Sequence, residues 1–273
     1  MFRFMAIGDV TSPTAARALA ATLWQVRREY SLDFVTVNAE NAGFIIGPPA
    51  DVALALLDGG ADVLTGGNHI LQNMSLQATL ENDSRILRPA NYPDAAPGFG
   101  YTVVPAKGLR VLVGNLLGRV HMDPPLDSPF DAAERILARE AGKYDLAFFD
   151  FHAEATGEKT ALAAFLDGRV TVLFGTHTHV PTADDGILPK GTGYVSDLGM
   201  CGARGGVLGM SEESVLSRYT TGLPTRFAPA TGALYADAVI FSIDESKRRT
   251  VKTERVTLSL PAPTEPTRKP AHR

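Results

Sequence analysis

Apolar runs that end in glycine and polar residues recur along the first two-thirds of the chain. The run Phe2–Ile7 is followed by Gly8 and Asp9, and the run 172–174 is followed by Gly175. Between such runs, apolar residues recur at intervals of three and four, which predicts amphipathic helices. Because strands alternate with helices here, the pattern favours parallel βαβ units and an α/β fold.

The same periodicities predict the individual elements. Strands are predicted at 2–7, from 33, from 61, at 101–105, 109–114, from 145, at 169–175, 194–197, 236–243 and 251–258. Helices are predicted at 15–30, 50–58, 75–82, 131–142 and 159–166. The later strands follow one another closely, which indicates antiparallel pairing. We predict a mixed sheet, or two sheets packed together with helices outside, in one domain over 1–260. The Pro-rich segment 261–273 is predicted to be a disordered tail.

Composition and charge narrow the class of partner. The formal net charge of −4 makes a DNA duplex or an anionic membrane an unfavourable partner, so a small anion would need a local positive charge. The single cysteine, Cys201, excludes an internal disulfide and a zinc cluster of thiolates. The first residues become polar too soon for a signal peptide, and no apolar run is long enough for a membrane span. We expect a bacterial cytoplasmic protein.

Metal-ligating side chains follow five of the predicted strands. Those donors are Asp9, Glu40, Asn41, Asn68, His69, Asp150, His152, His177 and His179. Because the carboxyl ends of parallel strands face one crevice, these groups are expected to converge. Taken alone, an aspartate after a glycine is an ordinary turn or cap residue, and a lone histidine is an ordinary core residue. The joint set indicates a metal centre, with enough donors for two ions.

Ordered motifs carry a resemblance to a known family. The motifs GDV (8–10), NAEN (38–41), GGNH (66–69), DFHAEAT (150–156) and GTHTHV (175–180) resemble the calcineurin-like metallophosphoesterase superfamily. The motifs RPANYP (88–93), NLLGR (115–119), TAD (182–184) and LGM (198–200) are similar to the YmdB-like family of bacterial phosphodiesterases. The resemblance spans about residues 1–243. It implies a four-layer αββα sandwich, a dinuclear metal centre and hydrolysis of phosphodiesters, notably 2′,3′-cyclic nucleotides.

The resemblance also implies roles for single residues. Asp9 and His179 would hold the first ion, Glu40 would bridge both, and Asn68, His152 and His177 would hold the second. His69 would be the catalytic acid. Many superfamily members have a histidine where this chain has Thr11, so Asn41 is the candidate that completes the first ion's ligands.

The donor types limit the ions and the chemistry. Imidazole, carboxylate and amide ligands without thiolate favour Fe or Mn, allow Zn and disfavour a site of Mg²⁺ alone. A water that bridges two such ions would supply hydroxide at neutral pH, and His69 would protonate the leaving oxygen. Arg88, Asn91 and Arg119 are candidate contacts for a small anionic phosphodiester. The resemblance implies a homo-oligomer, although no interface is visible in the residues.

Two other functions fit the same donors. One is a phosphomonoesterase, such as a nucleotidase or a protein phosphatase, which an assay of mono- and diesters would separate from a diesterase. The other is a non-catalytic metal-binding regulator. His69 argues against the regulator, because a purely structural site has no use for a spare acid.

Overall fold

The computed structural model describes residues 1–262 and places them in thirteen strands and six α-helices. The strands are β1 (Phe2–Ile7), β2 (Asp9–Val10), β3 (Phe34–Asn38), β4 (Val63–Thr65), β5 (Tyr101–Ala106), β6 (Leu109–Leu117), β7 (Leu146–His152), β8 (Val172–Thr176), β9 (Gly186–Ile187), β10 (Gly193–Val195), β11 (Met200–Ala203), β12 (Leu234–Asp244) and β13 (Arg249–Leu260). The helices are α1 (Pro13–Glu29), α2 (Ala50–Asp58), α3 (Gln77–Asn82), α4 (Pro129–Arg139), α5 (Thr156–Leu166) and α6 (Glu212–Thr221).

The strands form two sheets. The first sheet has the order β2-β11-β12-β1-β3-β4, and β13 lies along the other edge of β12. Strands β1, β3 and β4 are parallel, whereas β12 runs antiparallel to β1, β11 and β13. The second sheet has the order β5-β6-β7-β8-β10-β9, with β6, β7, β8 and β10 parallel.

Phenylalanines fill the space between the two sheets. Phe4 of the first sheet stacks on Phe148 of the second, with ring centroids 4.0 Å apart, and Phe34, Phe174 and Phe241 surround this pair. Helices α1 and α2 cover the outer face of the first sheet, and α4 and α5 cover the outer face of the second. The predicted four-layer αββα sandwich is therefore confirmed.

Most element predictions are also confirmed, with differences at the ends. Helix α4 begins at Pro129 rather than at residue 131, because Ser128 caps it by accepting a hydrogen bond from the Asp131 N–H. The sequence did not predict β11, α6 or the two-residue strands β2 and β9. The tail predicted from residue 261 lies, from residue 263 onward, outside the described residues, and the single domain over 1–260 stays a prediction. Within residues 1–262, no helix is both long and apolar enough to cross a bilayer.

Candidate metal centre

The carboxyl ends of the parallel strands in both sheets meet at one place. Asn38, the last residue of β3, donates from Nδ2 to Asp150 Oδ2 of β7 at 2.9 Å and so joins the two sheets. The backbone N–H of His177, just after β8, donates to Asp9 Oδ2 at 3.0 Å. Residues far apart in the sequence therefore surround one point, as the pattern of strand ends predicted.

The predicted ligands lie within a few ångströms of one another. His152 Nε2 lies 3.6 Å from Glu40 Oε1, and His152 Nδ1 lies 3.6 Å from Asp9 Oδ1. His179 Nε2 lies 3.8 Å from Asp9 Oδ1 and 3.4 Å from Asn41 Nδ2. Asp9, Glu40 and His152 are fully buried. The chain thus buries two carboxylates and one imidazole completely, with the other imidazoles beside them.

Thr176 fixes which ring nitrogen of His152 carries hydrogen. The Thr176 hydroxyl donates to Asp150 Oδ1 at 2.7 Å, so toward His152 Nδ1, at 3.0 Å, it acts as an acceptor. His152 Nδ1 therefore carries the hydrogen, and Nε2 is left with a free lone pair that faces the site. An outer residue that orients a ligating imidazole in this way is typical of metal centres.

The other two histidines of the cluster are oriented in different ways. His177 Nε2 lies 3.2 Å from Glu154 Oε2, within ion-pair distance. His179 Nδ1 donates to the Leu208 carbonyl at 3.0 Å, so its Nε2 faces the site without a hydrogen. His152 and His179 thus each present an unprotonated nitrogen to the interior.

His152 and His177 contact each other through their ring nitrogens. His177 Nδ1 lies 3.1 Å from His152 Nε2, and because His152 Nε2 has no hydrogen, His177 Nδ1 donates to it. Burial lowers the pKa of both imidazoles, so their neutral forms are favoured. A separation of about 3.0–3.4 Å is also what two neighbouring nitrogen ligands of one ion have, given metal–nitrogen distances near 2.1 Å.

In the described part of the chain, three buried oxygen atoms of the cluster have no hydrogen-bond partner. They are Asp9 Oδ1, Asn41 Oδ1 and Asn68 Oδ1. Within residues 1–262, however, no group of three or more His, Cys, Asp or Glu side chains is arranged as a ready-made metal site. Two of the expected ligands are amides, and His152 and His177 contact each other instead of a common centre. The unpaired oxygens nevertheless indicate cation binding, because buried polar atoms without partners cost about 1–3 kcal/mol each. The donor set fits metal ions.

The cluster favours neutral groups when no cation is present. Burial, and then the nearby charge of Asp197, raises the pKa of Asp9 well above its ordinary value. Burial raises the pKa of Asp150 to about 6, although hydrogen bonds from Thr65, Thr176 and Asn38 act to lower it. Cations would reverse this balance, because they favour the ionised carboxylates.

His69 lies beside the cluster and is partly exposed. Its Nδ1 is 2.7 Å from Glu40 Oε1, although the two are not aligned as a hydrogen bond, and its backbone N–H donates to the same carboxylate at 3.1 Å. Burial opposes the charged imidazolium, but the Glu40 carboxylate outweighs it and raises the pKa of His69. The ring is therefore held where it can keep a proton near neutral pH.

The three candidate substrate contacts do not gather at this cluster. The Arg88 guanidinium is buried and donates to the carbonyls of Pro89, Ala96 and Pro97 in its own loop. Asn91 is also buried and exchanges hydrogen bonds with the backbone of Leu117. The donors of both side chains serve the loop backbone, so the structure gives these residues a role in shaping loops.

Arg119 belongs to a different part of the surface. It lines a separate hollow together with Phe130, and its backbone N–H donates to Glu158. It is not among the residues that line the cavity beside the metal cluster. The position of its side chain thus gives no support to a contact with a phosphate at the cluster.

A cavity of about 340 Å³ opens beside the cluster. Its polar part is formed by Asn41, His69, Glu154, His177 and His179. Its apolar part is formed by Phe44, Ile45, Leu208 and Met210. Three of the predicted ligands and the predicted acid thus share one opening to solvent with an apolar wall.

Sequence reasoning missed several residues that build this site. Lys159, buried in α5, donates from Nζ to Asp197 Oδ2 at 2.8 Å and to the Thr176 carbonyl at 2.9 Å. Asp197 in turn accepts the backbone N–H of Thr178 at 3.0 Å. This buried ion pair holds the backbone on both sides of His177. A lysine on a helix gives no pattern that distinguishes it from a solvated one, so only the three-dimensional contacts reveal it.

Comparison with known proteins places the chain among close relatives. A family model described as "YmdB-like protein" matches residues 5–256. The 2′,3′-cyclic-nucleotide 2′-phosphodiesterase of Bacillus subtilis (strain 168) is 39% identical over 257 residues, which cover 94% of this chain and 97% of that protein. A crystal structure of a hypothetical protein from Thermus thermophilus has a TM-score of 0.86 at 37% identity and covers 95% of this chain and 100% of that chain. A crystal structure of a phosphatase from Mycoplasma pneumoniae has a TM-score of 0.87 at 31% identity. The match covers 96% of this chain and 95% of that chain.

Proposed function

The chain belongs to the YmdB-like family, and from this premise we propose that it is a metal-dependent phosphodiesterase that hydrolyses 2′,3′-cyclic nucleotides. The relative from Bacillus subtilis, similar over nearly the full length of both chains, carries that activity in its name. The observation that carries the proposal is the set of buried ligand oxygens without a hydrogen-bond partner in the described part of the chain, beside the imidazoles that follow the strand ends. These oxygens are Asp9 Oδ1, Asn41 Oδ1 and Asn68 Oδ1. Such a cluster is built to bind cations.

The donors divide into two sets around Glu40. One ion would be held by Asp9, Asn41 and His179, and the other by Asn68, His152 and His177. Glu40 would bind both ions. Bound divalent ions, with Fe or Mn favoured, would lower the pKa of water and neutralise charge on the phosphoryl oxygens. Thr176 keeps the hydrogen of His152 on Nδ1 and leaves Nε2 free to bind an ion.

His69 is the residue that we propose as the general acid. Its ring lines the cavity, and the Glu40 carboxylate beside Nδ1 raises its pKa. From its place in the cavity, the protonated ring would deliver a proton to the leaving ribose oxygen. General acid catalysis of this kind contributes about 10²–10⁴ in rate.

The proposal is tested by turnover of purified protein that has been stripped of metal and reloaded with Mn²⁺ or Fe²⁺. We expect hydrolysis of 2′,3′-cAMP, and slower or no hydrolysis of adenosine 3′-monophosphate. Faster cleavage of the monoester would instead identify a phosphomonoesterase. If the loaded protein leaves both 2′,3′-cAMP and bis(p-nitrophenyl) phosphate intact, the proposal is wrong.

A His69→Ala variant tests the assigned acid. We expect it to retain its metal, measured by elemental analysis, and to lose about 10²–10⁴ in kcat. Loss of metal with unchanged turnover of the remaining loaded fraction would contradict the role.

A further inference from the structure

The apolar wall of the cavity is formed by two loops that are tied to the metal cluster. In the loop 41–47, the Gly47 N–H donates to the His69 carbonyl at 3.1 Å, and Phe44 and Ile45 line the cavity. The second loop contains Leu208, whose carbonyl accepts the hydrogen of His179 Nδ1. Leu208 lines the same cavity. Each apolar segment is thus held at a fixed place relative to the predicted acid or to a predicted ligand.

These apolar residues adopt a backbone conformation that disfavours bulky side chains. Phe44, Ile45 and Leu208 have φ values of 66°, 61° and 51°. The left-handed conformation costs an ordinary L-residue about 1–2 kcal/mol, and it is rarer still for a β-branched isoleucine. Of the nine non-glycine residues with positive φ in residues 1–262, five line this cavity, since His177 and His179 join the three apolar ones.

Backbone strain that persists around one cavity points to a functional use of the side chains placed there. Ile45 and Leu208 remain 37% and 42% exposed, so the strain does not serve to bury them in the core. The strained backbone places an aromatic ring and two aliphatic side chains at the mouth of a cavity whose remaining lining is polar. This is the composition of a subsite for a flat, weakly polar group of the substrate.

We propose that Phe44, Ile45 and Leu208 form the subsite for the nucleobase of the substrate, an inference that rests on the proposed function. The base stacks on the Phe44 ring and contacts the aliphatic side chains, while the ribose and the cyclic phosphate lie over His69 and the metal ligands. Stacking on an aromatic ring tolerates every base, because each base has a π-face. The subsite therefore recognises nucleotides as a class, and rates for adenine, guanine, cytosine and uracil substrates are expected within a few-fold of one another.

The test compares two five-membered cyclic diesters that differ in the base. One is 2′,3′-cAMP, and the other is glycerol 1,2-cyclic phosphate, which has the same reacting ring without a nucleobase. The variants are Phe44→Asn and Leu208→Asn, because asparagine tolerates the left-handed conformation while removing the apolar surface. Tyr219→Asn is the matched control, since Tyr219 is 84% exposed on α6 and does not line this cavity.

We expect each subsite variant to lose at least about 10-fold in kcat/KM for 2′,3′-cAMP and less than about 2-fold for the base-free diester. The control should change neither value. Equal losses on both substrates, or no loss on either, would overturn the subsite and leave the proposed function standing.

A binding measurement separates failure of the subsite from failure of the proposed function. Protein loaded with Mn²⁺ is titrated with adenosine 3′-monophosphate and with glycerol 2-phosphate by calorimetry, and the wild type should bind the nucleotide at least about 10-fold more tightly. Phe44→Asn should abolish that difference, whatever the turnover assays show. If wild type binds both monophosphates equally, the subsite is refuted even in an active phosphodiesterase.

Discussion

Replacing the buried Lys159 by methionine should cost this protein a large part of its stability. Lys159 is 2% exposed and Asp197 is 1% exposed, and their 2.8 Å ion pair lies beneath the backbone of His177. Methionine fills a similar volume but leaves the Asp197 carboxylate buried without its cation. The Thr176 carbonyl also loses the hydrogen bond from Nζ.

The expected magnitude follows from removing one partner of a buried pair, which costs about 3–5 kcal/mol in the free energy of unfolding. The double variant Lys159→Met with Asp197→Asn removes both charges. It should be less destabilised than the sum of the two single variants, by about 2 kcal/mol or more. Lys252→Met is the matched control, because the pair Lys252–Glu254 is exposed and should contribute less than about 1 kcal/mol.

The assay is urea unfolding followed by circular dichroism, with EDTA present so that bound metal does not add to the measured stability. A second measurement, the Mn²⁺ affinity of the folded variants, tests the effect on the backbone around His177, which should weaken binding in Lys159→Met. If Lys159→Met unfolds with nearly the same free energy as Lys252→Met, the buried pair does not support this backbone and the reasoning is refuted.

Three further predictions concern the surroundings of His152. Thr176→Val removes the hydroxyl that joins Asp150 to His152 Nδ1, so Mn²⁺ affinity measured by titration should fall about 10–100-fold, and Thr176→Ser should restore it. Burial raises the pKa of Asp150 from 3.8 to about 6. Between these two pH values the folded chain keeps the carboxyl proton of Asp150, whereas the unfolded chain has lost it. In metal-free protein, the protonated carboxyl therefore contributes about 3 kcal/mol to the free energy of unfolding below about pH 4. This contribution is lost as the pH rises to about 6. The difference in unfolding free energy between wild type and Asp150→Asn should decline over that range, and a pH-independent difference would contradict the assignment. Gly67→Ala would place a Cβ 2.3 Å from the His152 ring, so metal content after purification should drop sharply, whereas Gly157→Ala, which meets nothing within 4 Å, should retain it.

The layered fold and the clustering of ligands could be predicted because both depend on local periodicity. A strand buried on both faces is a short apolar run, and its carboxyl end is marked by the glycine or polar residues that follow. Parallel strands then bring those ends together, so that Asp9 and His152 become neighbours although 143 residues separate them along the chain. The pairing of His152 with Asp9 thus followed from topology alone.

The supporting contacts could not be predicted, because they depend on long-range packing that leaves no periodic signal. Nothing local distinguishes Lys159, buried against Asp197, from an exposed helical lysine, and Thr176 reads as one more polar residue after a strand. The contacts of Arg88 could not be predicted for a related reason. Arg88 lies in a Pro-rich loop whose carbonyls lack partners within regular structure, and its guanidinium satisfies three of them.

The position of β12 should govern when the predicted metal cluster can assemble during synthesis. Strand β1 has one of its two neighbours in β12, more than 220 residues later, and β11, beside β2 and Asp9, depends on that same late strand. Until β12 has left the ribosome, the nascent chain lacks the strands that support Asp9. Assembly of the cluster should therefore come late in translation.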